Sequence, residues 1–575
     1  MLDQEWLQFD PIWTEKEFNK GGARDDLGIE TLGESILADL LPGINNQTRR
    51  ARYYSFWAWV LNGFIQDTDA KPHTQSKFWE WLRGREDTFI LAYLSHNCQT
   101  GLAGTEQALP VWEQGTKKVY PITWKSLLSV DGGSYQLYYR GPLQEMNIIV
   151  RTEDSPHDNL SRTIGVSLAE AYGVSVSQSR YVKQYFKATE LARVDIEEFA
   201  QTGCVCQVGQ NETERRLLIE AFFRYDSPDA FAIKRLASLC LFLDVINQSK
   251  GCTLSEFDFR SAMYYWSFGN NCQYKPKGNL LQPAERWRIF QLRQYFVFFI
   301  ETFWSLFLNR IQDESLSAEE YIEWLCGNID LNHLSSDWGI DFSGKNVFQL
   351  SMKEFYMAIQ NAIPTQAWRN GSDALSCKIN EQTLMYTIRS ARSNPEVNQM
   401  AGSALIALAT LYWRCLPWKA SSGWNYVSDS YSSGRLPIDS HLRQVEQAFV
   451  ENISLLEWLQ KLHQNDLWLQ HRKVALDKLI NRRQEVFKFE QILDEPDNPI
   501  SDLKPKFRGL GTDVPKMNAP RFPSALNILI DLSVIVANNG GYQLMPDGKR
   551  LLEKFSTYTV PQWKEPQDAK VTEYS

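Results

Sequence analysis

Three guanidinium groups, Arg49, Arg50 and Arg52, fall within four residues at the expected start of an amphipathic helix. Thr48 stands where an N-cap belongs after the Pro42-Gly43 break. On a helical wheel, Tyr53, Trp57, Val60, Leu61 and Phe64 form one apolar stripe. Arg49 and Arg52 flank that stripe on the side carrying Phe56, and Arg50 points along it. A cation at a helix N-terminus opposes the macrodipole and typically loses about 0.3–1 kcal/mol, while the free N–H groups there favour anions. A negative partner is therefore required, and two sources fit. One is internal: Asp25, Asp26, Glu30, Glu34 and Asp39 are close in sequence and could form arginine–carboxylate forks. The other is external: a phosphate backbone or phosphorylated ligand, since guanidinium beside exposed aromatic rings is how nucleic-acid platforms are built.

The run Arg24-Asp25-Asp26-Leu27-Gly28-Ile29, then Ala38-Asp39-Leu40-Leu41-Pro42-Gly43, then Thr48 with Arg50-Ala51-Arg52-Tyr53 and Phe56, covers about 35 residues. It resembles the N-terminal signature of uncharacterised bacterial families known only as domains of unknown function. The resemblance implies a place in anti-phage defence neighbourhoods, beside ATPases, helicases or nuclease-like proteins. It implies no chemistry.

A second cationic region lies toward the C-terminus. Residues 522–555 order themselves as a helix, a short strand near Val534–Val536, an Asn538-Asn539-Gly540-Gly541 turn, a returning strand and a helix opened by Pro546. That order resembles the distal half of a winged-helix domain. The helix entering the hairpin has no lysine or arginine after Arg521, and duplex contact depends on cations. Those available are Lys504, Lys506, Arg508, Lys516 and Arg521 in the proline-rich stretch, and Lys549 and Arg550 beyond the hairpin. A preceding helix adds Arg472, Lys473, Lys478, Arg482 and Arg483. DNA contact and protein docking both fit this end.

Catalytic spacings are weak. Gly339 to Asn346 has the spacing of a phosphate-binding loop, but Asn346 stands where Ser or Thr would hold magnesium, and no apolar strand precedes it. Arg435 and His441 have a ribonuclease-like separation interrupted by Pro437. No histidine stands at zinc-ligand spacing from a cysteine pair, so neither metal nor cofactor is expected, and His157, His333, His441, His463 and His471 read as surface or loop residues. The nine cysteines are scattered, which suits reduced thiols in the cytoplasm. The N-terminus lacks the basic and apolar regions of a secretory signal.

The elements that must position these residues are mostly helical. Periodicity predicts helices over 30–41, 47–66, 76–83, 211–224, 229–247, 284–311, 317–326, 351–362, 398–415, 440–463 and 466–492. Alternation at Tyr135, Leu137 and Tyr139 predicts a small β element within 133–151. Residues 289–308 and 400–416 are apolar but charged or too short for a membrane span, and read as buried helices. Twenty tryptophans suit inter-helix packing. Serine-rich 421–434 and proline-rich 494–523 read as loops or linkers. The expected architecture is mainly α, with three segments: 1–130, 131–420 and 435–575. A net charge of −9 argues against coating nucleic acid or anionic membrane by bulk charge.

These features together point to a non-catalytic subunit of a bacterial anti-phage or anti-plasmid defence system. It would dock a partner ATPase, helicase or nuclease, with double-stranded DNA as a further partner and no membrane. The alternatives are a metal-dependent nuclease with a degenerate site and a winged-helix transcriptional regulator.

Overall fold

A computed structural model describes residues 25–561 except 68–73, 99–101, 114–118, 123–129, 152–154, 156, 251–253, 270–271, 332–335, 337, 393–395, 429–434, 483–485, 493–504 and 539. The described residues are mainly helical, with small sheets of two or three strands. They form two units interleaved along the chain. One comprises the chain up to Glu34, Leu292–Ala420 and Trp424–Asn518; the other comprises Ser35–Gln291, Ser421–Gly423 and the chain from Ala519. The three consecutive segments expected from the sequence are therefore not the packing units. Composition marks loops, whereas a unit is defined by which apolar faces meet.

In the unit that holds the arginine cluster, the Arg52–Gln66 helix is buried on every side from Arg52 to Leu61. Its sequence is apolar nearly all round, so no face prefers water. Phe56 stacks on Phe89 with ring centroids 4.0 Å apart, and Trp57 lies 5.1 Å from Tyr135. Trp57 and Trp287 are fully buried, in keeping with tryptophan as packing material.

The expected β element within 133–151 is mostly helix: a π-helical turn at Tyr135–Tyr139 runs into an α-helix at Arg140–Glu145. Only Ile149–Val150 is strand, paired with Asn159–Leu160. Tyr135 and Tyr139 satisfy a four-residue spacing as well as alternation, and both are buried. The Tyr135 hydroxyl donates to Asp158 at 2.7 Å, which holds the helical choice.

The C-terminal segment follows its expected order closely. Helix Phe522–Asp531 leads to a hairpin pairing Ile535–Asn538 with Gly541–Leu544, then to helix Pro546–Ser556. It is bound into its unit rather than standing apart. Phe522 stacks on Phe259 at 3.8 Å, Tyr225 donates to the Leu551 carbonyl at 2.6 Å, and Asn279 donates to the Phe555 carbonyl at 2.8 Å.

In the other unit, the Val397–Cys415 helix is buried over most of its length. Among the described residues no helix is long and apolar enough to cross a membrane. The expected helix over 440–463 stops at Asn452, which is left-handed, and resumes at Leu455. The expected helix over 466–492 ends at Arg482, and Phe489–Ile492 is a strand paired with Lys506–Gly509. Lys506–Gly509 pairs in turn with Leu316–Ser317, so the proline-rich stretch carries the central strand of a sheet. Beyond it, the Lys516 amide donates to Glu301 and the Asn518 amide to Gln294, each at 2.7 Å.

Candidate functional site

Local hydrogen bonding moves the start of the arginine helix away from Thr48. Asn45 Oδ1 accepts from the amides of Gln47 and Thr48, and Thr48 Oγ accepts from the Asn45 amide at 2.8 Å. The helix then begins at Arg52, with Ala51 in the N-cap position and no side-chain cap from it. The cap comes from far away in sequence: Asp531 Oδ2 accepts from the Ala51 amide at 3.0 Å.

The same carboxylate receives Arg50. Arg50 Nε and Nη2 donate to the two Asp531 oxygens at 2.9 and 2.8 Å, a bidentate fork that is largely buried. Burial raises the Asp531 carboxyl above its ordinary range, against the lowering effect of Arg50 and the Ala51 amide. Arg52 is buried more deeply. Its Nε and Nη2 donate to Glu214 at 3.0 Å, and its Nη1 donates to the carbonyls of Thr202 at 2.6 Å and Cys204 at 2.8 Å. The guanidinium also lies 4.9 Å from the Tyr172 ring centre. The anionic partners that the dipole argument requires are thus Asp531 and Glu214, neither of them among the nearby acids. Those have other work: Asp25 caps the Glu30–Leu40 helix through the Glu30 and Thr31 amides, and Asp39 pairs with Lys234.

Replacing Asp531 by asparagine should keep the shape and remove the charge. It is expected to lower stability by about 2 kcal/mol, the scale of a hydrogen bond to a charged group. Limited proteolysis should then cut sooner within the C-terminal helix, hairpin and helix, because the fork ties that segment to Arg50.

The remaining sequence candidates scatter. Arg49 is exposed, and its Nε donates to the Asn46 carbonyl at 2.7 Å. Arg521 is buried and donates to the Ile44 carbonyl at 2.9 Å, so it is a framework residue. Arg508 is exposed and paired across strands with Glu490; Lys506 is half-buried beside it. Arg472 is half-buried and Lys473 exposed on one helix. The Arg482 side chain and Arg483 lie outside the described residues. Among the described residues, Arg50, Arg52 and Arg521 are buried and so belong to no surface patch.

The catalytic spacings do not assemble either. Lys345, in the loop with phosphate-binding spacing, pairs with Glu354 at 3.2 Å. Arg435 precedes the helix that begins at Ile438, and His441 is buried within that helix. His463 and His471 are also buried, which corrects their assignment to the surface; His333 lies outside the described residues. Burial lowers all three buried imidazoles to about 4. His471 accepts from the Lys488 amide through Nε2 at 3.0 Å and donates to the Asp26 carbonyl through Nδ1, a neutral structural bridge.

One group missed by sequence spacing can hold a metal. The donor atoms of His96, Cys204 and Cys206 all lie within 4.8 Å of one another, and Cys98 is beside Cys204. The signal was two short pairs, His96-x-Cys98 and Cys204-x-Cys206, separated by about a hundred residues. No protein-family model, curated protein or solved structure matches the chain.

Proposed function

We propose that this protein is a non-catalytic scaffold subunit of a bacterial anti-phage or anti-plasmid defence system, acting in the cytoplasm by docking a partner ATPase, helicase or nuclease. The observation that carries the reading is the use made of its N-terminal signature. Asp25 caps a helix, Asp39 pairs with Lys234, Gly43 accepts from the Tyr54 hydroxyl, and Arg50 and Arg52 are engaged by internal acids. A signature built this way specifies a shape.

A surface suited to the partner is the outward stripe of Leu469, Lys473 and Ile480, with Ile480 73% exposed. Spacings of four and seven residues put these side chains on one helical face. The C-terminal helix, hairpin and helix have the order of a winged helix, but the helix before the hairpin carries no cation beyond Arg521. This favours protein docking over DNA readout for that segment.

The test is co-purification of the tagged full chain with the products of adjacent genes. A stoichiometric partner, lost on Ile480→Asp together with Lys473→Glu, supports the reading. Cleavage of DNA by the purified chain alone with Mg²⁺ or Mn²⁺ would sink it in favour of a nuclease. Tight, salt-dependent binding of one duplex sequence without a partner would favour a transcriptional regulator.

A further inference from the structure

Four soft donors converge where two loops meet within one unit. His96 and Cys98 follow the Gln75–Ser95 helix, while Cys204 and Cys206 open the turn Val205–Gln210. Cys98 Sγ lies 3.6 Å from Cys204 Sγ, and His96 Nδ1 lies 3.4 Å from Cys206 Sγ.

Zinc–sulfur bonds of about 2.3 Å and zinc–nitrogen bonds of about 2.0–2.1 Å give tetrahedral edges of about 3.8 Å between sulfurs and about 3.5 Å between sulfur and nitrogen. The two observed separations fall within about 0.2 Å of those edges. A disulfide between Cys98 and Cys204 would need the sulfurs at about 2.0 Å. We propose that His96, Cys204 and Cys206, whose donor atoms lie within 4.8 Å of one another, bind zinc, with Cys98, 3.6 Å from Cys204 Sγ but outside that group, turning in as the fourth ligand.

The surroundings are those of a built site. Arg52 Nη1 holds the carbonyls of Thr202 and Cys204, which fixes the Cys204–Cys206 turn. The Tyr93 hydroxyl donates to the Cys98 carbonyl at 2.9 Å, which fixes the other loop. Gln207 Nε2 donates to Cys206 Sγ at 3.4 Å, an outer contact of the kind that orients metal ligands. Cys206 is exposed, so an ion can enter from solvent. Three thiolates and an imidazole suit zinc over harder cations, and a full protein ligand set makes the site structural. On binding, each of the three thiols releases its proton to solvent, and His96 ligates as the neutral imidazole.

The full chain, purified without chelator, should carry one zinc per chain by elemental mass spectrometry. Exchange with Co²⁺ should give the strong visible bands of tetrahedral coordination and a thiolate-to-cobalt charge-transfer band. His96→Ala with Cys206→Ser should abolish both signals. The cobalt spectrum of the unaltered protein keeps the test decisive even if that variant fails to fold. Absence of bound metal and of cobalt bands overturns the proposal. So does a Cys98–Cys204 disulfide found by peptide mapping, or zinc that survives in the double variant.

Discussion

Replacing Arg52 by alanine is expected to cost about 3–5 kcal/mol, the range for removing one partner of a buried ion pair. Glu214 is fully buried, and Arg52 is 1% exposed. Without the guanidinium, Glu214 keeps a hydrogen bond from Ser55 at 2.6 Å but loses its compensating charge. The carbonyls of Thr202 and Cys204 lose their donor at the same time. Arg52→Lys should recover only part of the loss, because one ammonium cannot match a planar fork shared among Glu214 and two carbonyls. Arg49→Ala, on an exposed side chain, should stay within about 0.5 kcal/mol of the parent. Urea unfolding followed by tryptophan fluorescence would read all three. Equal effects at positions 49 and 52 would contradict the burial argument.

The second large effect concerns pH. Glu86 is fully buried and accepts from the Ser134 hydroxyl, the Ser134 amide and the Tyr53 hydroxyl. Burial pushes its carboxyl from 4.5 up to about 7, with those donors working in the opposite direction. Between these values the folded protein holds a proton that the unfolded chain releases. The stability contributed by this proton is complete below about pH 4.5, declines as pH rises, and is lost once pH passes about 7. A displacement of this size corresponds to about 3 kcal/mol. Glu86→Gln has no proton to lose there. Its stability relative to the parent should therefore rise by about 3 kcal/mol from pH 4.5 to pH 8, whatever its absolute offset. Denaturation midpoints of both proteins across that range give the difference, and a flat difference would show that Glu86 is ionised throughout.

Much of the secondary structure was legible because periodicity is local. The helix at Glu30–Leu40, the long helix at Leu281–Asp313 and the C-terminal helix, hairpin and helix all stand close to where apolar spacing, Pro546 and the Asn-Gly turn put them. Tyr135–Tyr139 went astray because a tyrosine spacing of four fits both a strand and a helix, and the contacts that go with the helix, Tyr135 to Asp158 and Tyr139 to the Gln47 carbonyl, are with residues remote in sequence. The helix expected over 466–492 lost its end for a similar reason: pairing of Phe489–Ile492 with Lys506–Gly509 depends on chain remote from it.

The arginine cluster divides the two kinds of information most clearly. Residue types alone determined that a carboxylate or phosphate must lie at the start of that helix, since the dipole and three cations leave no other electrostatic solution. Which anion does so was settled by chain reversal over 481 residues for Asp531 and 162 for Glu214, a separation at which side-chain chemistry carries no address. The same holds for His96, Cys98, Cys204 and Cys206: each pair is visible in the chain, but coordination depends on distance in space, and only folding brings the two pairs together.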